Sequence, residues 1–95
     1  MPQATETIHY KIFGRVQGVG FRYYTFEQAK NLSINGWVKN LDDGSVECMA
    51  QSDSEKALRA FEKKLRQGPP LARVDRIEKA QVEPSFISSG FEVRP

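Results

Sequence analysis

Between Thr7 and Ser33 the chain changes its period across a run of glycines. Ile8, Tyr10 and Ile12 alternate with His9, Lys11 and Phe13, which is the two-residue repeat of a strand with one apolar face. From about Phe21 the repeat becomes helical, with Phe26 and Ala29 at i, i+3 spacing and Leu32 continuing near that face. The join is Gly14-Arg15-Val16-Gln17-Gly18-Val19-Gly20-Phe21-Arg22. A strand that turns on glycines straight into a helix exposes successive N–H groups beside a positive helix end. Arg22, at the start of that helix, adds a planar fork suited to phosphate oxygens. The segment therefore predicts an anion cradle with one strong cation, suited to phosphate chemistry more than to nucleotide binding.

The rest of the chain limits what can surround this loop. Asn35-Gly36 ends the helical pattern, with Gly36 suited to a helix cap or to the start of a strand. Trp37 to Leu41 reads as a second strand, placing Val38 and Asn40 on one face and Trp37, Lys39 and Leu41 on the other. Asp42-Asp43-Gly44 is a hairpin turn, and Ser45 to Gln51 is a third strand with Val46, Cys48 and Ala50 facing one way. Ser52-x-x-Glu55 reads as a capping box ahead of a helix with Leu58, Phe61 and Leu65 on one stripe. Gly68-Pro69-Pro70 stops that helix, Val74 to Val82 is a fourth strand, and Phe91 to Val93 is a candidate short fifth.

The order β-α-β-β-α-β predicts an α+β domain of the ferredoxin-like, split β-α-β type. Its sheet is expected to be antiparallel and four-stranded, with two helices on one face. One domain over residues 7–95, preceded by a flexible tail over 1–6, suits 95 residues that are 39% hydrophobic. In this topology strands one and two run the same way, with the third between them. Their C-terminal ends then share one edge about 10 Å apart, two inter-strand spacings. A phosphate in the glycine loop lies within reach of Asn40 through one water molecule.

Composition excludes several function classes. A net charge of +2 is too small for a grip on nucleic acid by charge alone. No apolar run is long enough to cross a bilayer and no signal-peptide pattern is present. One cysteine, Cys48, cannot form an internal disulfide, which favours a reducing, cytoplasmic setting. Nothing in the sequence calls for an obligate assembly, so a monomer is expected.

The two motifs, Gly14-x-Val16-Gln17-Gly18-Val19-Gly20-Phe21-Arg22 and Gly36-Trp37-Val38-x-Asn40 before Asp43-Gly44, resemble the acylphosphatase family. The resemblance runs from strand one to Phe91-Glu92-Val93. It implies hydrolysis of the carboxyl–phosphate bond of a small-molecule acyl phosphate, giving a carboxylate and inorganic phosphate. It also implies that Arg22 binds the phosphoryl group with backbone N–H groups of Gln17, Gly18, Val19, Gly20, Phe21 and Arg22, and that Asn40 positions the attacking water. No cofactor and no metal are expected. The acyl group stays open: the resemblance allows acetyl, carbamoyl, bisphosphoglycerate and protein aspartyl phosphates, and a small cradle that reads only the phosphoryl end would tolerate many of them.

Each residue also has a plainer reading. A glycine loop can be a turn, Arg22 a surface ion-pair arginine, and Asn40 part of the Asp-Asp-Gly turn. Tyr10, Phe26, Trp37 and Phe61 read as packing, His9 as an exposed strand residue, Cys48 as a small buried group. Lys63, Lys64 and Arg66 read as a solvated helix end, and Tyr23 and Tyr24 flank the cradle without an assigned role. A different function class is RNA binding, because Gly18 to Tyr24 loosely resembles an RNP1 segment. Its place ahead of a helix, rather than on a central strand, argues against that. A third reading is a non-catalytic anion-binding module.

Overall fold

The computed structural model describes residues 5–83, 87 and 89–95. Its elements are β1 (Glu6–Arg15), α1 (Phe21–Asn31), β2 (Asn35–Asn40), β3 (Val46–Ser52), α2 (Glu55–Gln67), β4 (Arg73–Val82) and β5 (Phe91–Val93). The expected tail over 1–6 lies outside the described residues for 1–4, and Glu6 already belongs to β1.

The sheet has the order β4-β1-β3-β2-β5. Pairs β1–β3, β1–β4 and β2–β3 are antiparallel, whereas β2–β5 is parallel. The expected antiparallel four-stranded sheet is present as β4-β1-β3-β2, and the candidate fifth strand joins it as a parallel edge. After β4, on one edge, the chain reaches the far edge of the sheet and adds β5 beside β2 in the same direction. Three residues are too short to show alternation, so β5 leaves only a weak trace in the sequence.

Register sets the core. Tyr10 and Val38 both stand opposite Cys48, so the three form a row across β1, β3 and β2, each fully buried. The helices cover this face. Leu58, Phe61 and Leu65 of α2 are buried as their spacing predicts, and Phe61 meets Tyr10 edge-on at 6.2 Å between ring centres. On α1 the buried stripe is Phe21, Thr25 and Ala29, not Phe26, Ala29 and Leu32. Thr25 can face the core because its hydroxyl donates to the carbonyl of Phe21 at 2.9 Å.

Two local features differ from the sequence reading. The N-cap of α2 is Ser54, whose hydroxyl accepts from the Ala57 N–H at 3.1 Å, while Ser52 accepts from the Ser54 N–H. Helix α1 ends before Ser33, which takes the left-handed conformation, and the Ile34 N–H returns to the Ala29 carbonyl. Gly36 therefore does not cap the helix. It sits in β2, where a Cβ would come within 1.8 Å of the Met49 carbonyl oxygen.

Candidate active site

The loop between β1 and α1 begins at a bulge. The β1–β4 register shifts between Phe13 and Gly14, and a Cβ on Gly14 would lie 2.1 Å from the carbonyl oxygen of Arg73. Val16, buried in the core, anchors the next residue. Gly18 and Gly20 then take φ of 75° and 79°, with open space where a Cβ would stand. Here the backbone conformation, not crowding, calls for glycine.

Gly20 caps α1 without a side-chain hydrogen bond, and the first turn holds no acidic residue. The first bond of the helix runs from the Tyr24 N–H to the Gly20 carbonyl at 3.0 Å. Among the described residues, no carbonyl or side chain accepts from the N–H groups of Gln17 to Arg22. A helix N-terminus with unpaired donors and no internal carboxylate attracts an external anion.

Arg22 projects from this first turn. Its Nη1 donates to the carbonyl oxygen of Arg94 at 2.7 Å, and among the described residues it pairs with no carboxylate. The surface ion-pair reading of Arg22 is therefore not what the fold contains. Most of its N–H donors remain available beside the loop.

Asn40 ends β2 on the same face as Val38, paired with Val46. Its Oδ1 is buried and accepts no hydrogen bond among the described residues. The turn that follows is built without it. Leu41 N–H donates to Ser45 O, Gly44 N–H to Leu41 O, and Asp43 Oδ1 accepts from the Ser45 N–H. Asp43 is held down to about 2 by the Ser45 hydroxyl and N–H and by the Lys11 ammonium.

Arg22 and Asn40 border one cleft of about 240 Å³ together with Gly18, Gly20, Tyr23 and Val93. Sequence reasoning brought the loop and Asn40 to one edge of the sheet, and the fold joins them. Gln17 and Val19 do not border the cleft with their side chains. Gln17 turns its amide to the Leu41 and Ser45 carbonyls, and Val19 packs against the core. Phe21 is buried, 1% exposed, so it cannot stack on a nucleic-acid base.

The sequence missed Val93 and the Arg94 carbonyl, which reach the site through the parallel placement of β5. Tyr23 lines the cleft, while Tyr24 points to α2 and donates to the Lys64 carbonyl at 2.8 Å. A larger hollow of about 410 Å³ lies by Gly36, Trp37, Phe91 and Arg94. It contains none of the loop donors, and its Arg94 guanidinium is engaged by the Trp37 ring at 4.5 Å and by Glu92 at 2.7 Å.

Among the described residues, no group of three or more His, Cys, Asp or Glu side chains could hold a metal ion. No helix among them is long and apolar enough to cross a membrane. Cys48 is buried, and desolvation pushes its thiol well above the usual range.

The family model described as Acylphosphatase matches residues 8–93. An acylphosphatase of Thermococcus kodakarensis is 47% identical over 85 residues, spanning 90% of this chain and 91% of that protein. One from Thiobacillus denitrificans is 44% identical over 89 residues, spanning 94% and 97%. The crystal structure of acylphosphatase from Bacillus subtilis matches with a TM-score of 0.90 at 34% identity, over 95% of this chain and 99% of that one.

Proposed function

The chain belongs to the acylphosphatase family, and on that premise we propose that the cleft between Arg22 and Asn40 is where its acyl phosphate is hydrolysed. The enzyme is a hydrolase that converts an acyl phosphate to a carboxylate and inorganic phosphate. In our reading the loop N–H groups of Gln17 to Arg22 and the Arg22 guanidinium hold the phosphoryl oxygens. Asn40 orients a water molecule opposite the carboxylate leaving group.

The observation that carries this reading is the chemical make-up of one small cleft. Among the described residues, it brings together unpaired donors, a guanidinium free of carboxylate partners, and a side-chain amide whose oxygen has no internal partner. The transition state of phosphoryl transfer is loose, with its charge on the peripheral oxygens. Fixed donors aimed at those oxygens stabilise it directly. The leaving carboxylate is already stable as an anion near neutral pH, so no general acid is needed. Among the described residues, neither His, Asp nor Glu borders the cleft. The water's proton therefore passes to a phosphoryl oxygen as the P–O bond forms and the anhydride bond breaks.

The same reading makes the protein a cytoplasmic monomer that acts on a free small molecule, without a nucleic-acid or membrane partner. The single, buried cysteine and the small net charge support it. Phosphate release from acetyl phosphate by chelator-treated protein, at rising inorganic phosphate, tests the site. Turnover with competitive inhibition is expected, because product and transferred group share the cradle. Absence of turnover would leave an anion-binding module, and purely non-competitive inhibition would move the anion site elsewhere.

A further inference from the structure

Gln17 lies in the phosphate loop, yet its side chain serves another part of the molecule. Its Nε2 donates to the Leu41 carbonyl at 2.7 Å and to the Ser45 carbonyl at 2.9 Å. These two carbonyls close the β2–β3 turn. Ser45 O already accepts from the Leu41 N–H, and Leu41 O from the Gly44 N–H. A carbonyl has two lone pairs, and Gln17 takes the second of each. The turn also has its own internal bond from Ser45 to Asp43 and an ion pair from Asp43 to Lys11 at 3.1 Å. It closes without Gln17.

What Gln17 adds is a fixed offset. Among the described residues, no other side chain of loop 16–20 hydrogen-bonds the turn. Asn40 immediately precedes Leu41 and forms the last rung of the β2–β3 ladder. The main chain of Gln17 belongs to the cradle, and its amide grips the carbonyl of Leu41, the residue that follows Asn40. We propose that Gln17 is a positioning residue, a neutral strut that sets the distance and angle between the phosphate loop and Asn40. The inference rests on the role given to Asn40 above.

The chemistry suits a strut rather than a ligand. Two amide hydrogens meeting two uncharged carbonyls add no net charge beside the anion. The strut therefore leaves the cradle's attraction for phosphate unchanged. In-line attack, by contrast, depends steeply on where the water sits. A misplacement of about 1 Å can cost roughly 10²-fold in rate. Loss of the strut should therefore lower kcat while sparing phosphate affinity.

The test compares wild type, Gln17→Met (similar length, no donor), Gln17→Asn (the amide kept, one methylene shorter), Asn40→Ala, and Gln17→Met combined with Asn40→Ala. Acetyl phosphate turnover, inhibition by inorganic phosphate and thermal melting are measured on each. Both Gln17 variants should lose about tenfold or more in kcat, with the inhibition constant for phosphate within about threefold of wild type. In the Asn40→Ala background, Gln17→Met should cost less than about threefold, because the group it positions is gone. Fully additive losses, or phosphate affinity falling in step with kcat, would overturn the proposal. If Asn40→Ala turns over normally, the role of Asn40 fails and the strut fails with it. If Asn40→Ala is impaired while the Gln17 variants are near native, only the strut fails. Should Gln17→Met not fold, Gln17→Asn carries the same measurements. Unfolding of both would make Gln17 a residue of the fold and reject the inference.

Discussion

The guanidinium of Arg22 is tied to the carbonyl oxygen of Arg94, 72 residues away in the chain, by a 2.7 Å hydrogen bond. Arg94 is held in turn. Its N–H donates to Val38 O at 2.8 Å, which prolongs the β2–β5 pairing by one bond, and its side chain stacks on Trp37. The end of the chain thus fixes the orientation of a cation whose other donors face the cleft.

Arg22→Lys should be nearly as damaging as Arg22→Ala, although it keeps the charge. A single ammonium cannot hold Arg94 O and also present a planar fork to two phosphoryl oxygens. Each variant should lose about 10² or more in kcat/KM. Near-native kinetics for the lysine variant would reduce Arg22 to bulk charge.

Removing Arg94 and Pro95 should lower kcat/KM by about tenfold, the worth of one hydrogen bond to a charged donor. Arg94→Ala keeps the carbonyl and should retain more activity than the truncation. Steady-state kinetics on the two variants separate the main-chain contact from the stacking on Trp37. Equal losses would show that the side chain, not the carbonyl, is what matters.

Asn40→Ala should cut kcat by about 10²–10³, the usual cost of one positioned catalytic group. Its melting temperature should stay level or rise, because the substitution deletes a buried oxygen that has no partner among the described residues. Kinetics and melting on one preparation check both halves. A large loss of stability would mean that Asn40 belongs to the fold rather than to the reaction.

Asp43 should contribute to acid unfolding. Its carboxyl titrates near 2 in the folded protein against an ordinary 3.8, so the folded state favours the ionised form. That contribution is present above about pH 4 and is lost as pH falls towards 2. Asp43→Asn should melt lower than wild type near neutral pH, and the gap should close across that window. A gap that stays constant down to pH 2 would assign the effect to turn geometry instead of charge.

The parts of this molecule that were legible in the sequence are those where one residue type leaves one option. The change of period from Tyr10 to Ala29 marked the strand, the loop and the helix. Gly18 and Gly20 marked backbone that must turn left-handed, and the even spacing of Val38 and Asn40 put both on one face. Thr25 was hidden because a hydroxyl that bonds back to its own helix resembles a surface residue in sequence. Ser54 was hidden because Ser52 also precedes a suitable glutamate. Val93 and Arg94 joined the site through a three-residue parallel pairing, which has no periodicity to read. The side chain of Gln17 was invisible for another reason: its partners are backbone carbonyls, whose positions only the tertiary fold defines.

The edge strands carry a further consequence, for self-association. A sheet edge with free N–H and C=O groups can pair with another copy of the chain, and charge along it discourages this. At one edge β4 presents Arg73, Asp75, Arg76, Glu78 and Lys79, all exposed. At the other, β5 covers the apolar Gly36-Trp37-Val38 segment and places the exposed Glu92 outside it. Without β5, the Gly36-Trp37-Val38 edge would stand open to intermolecular strand addition. The C-terminal residues that hold Arg22 in place also cover this edge, so their removal would open a strand to intermolecular pairing together with the loss of activity.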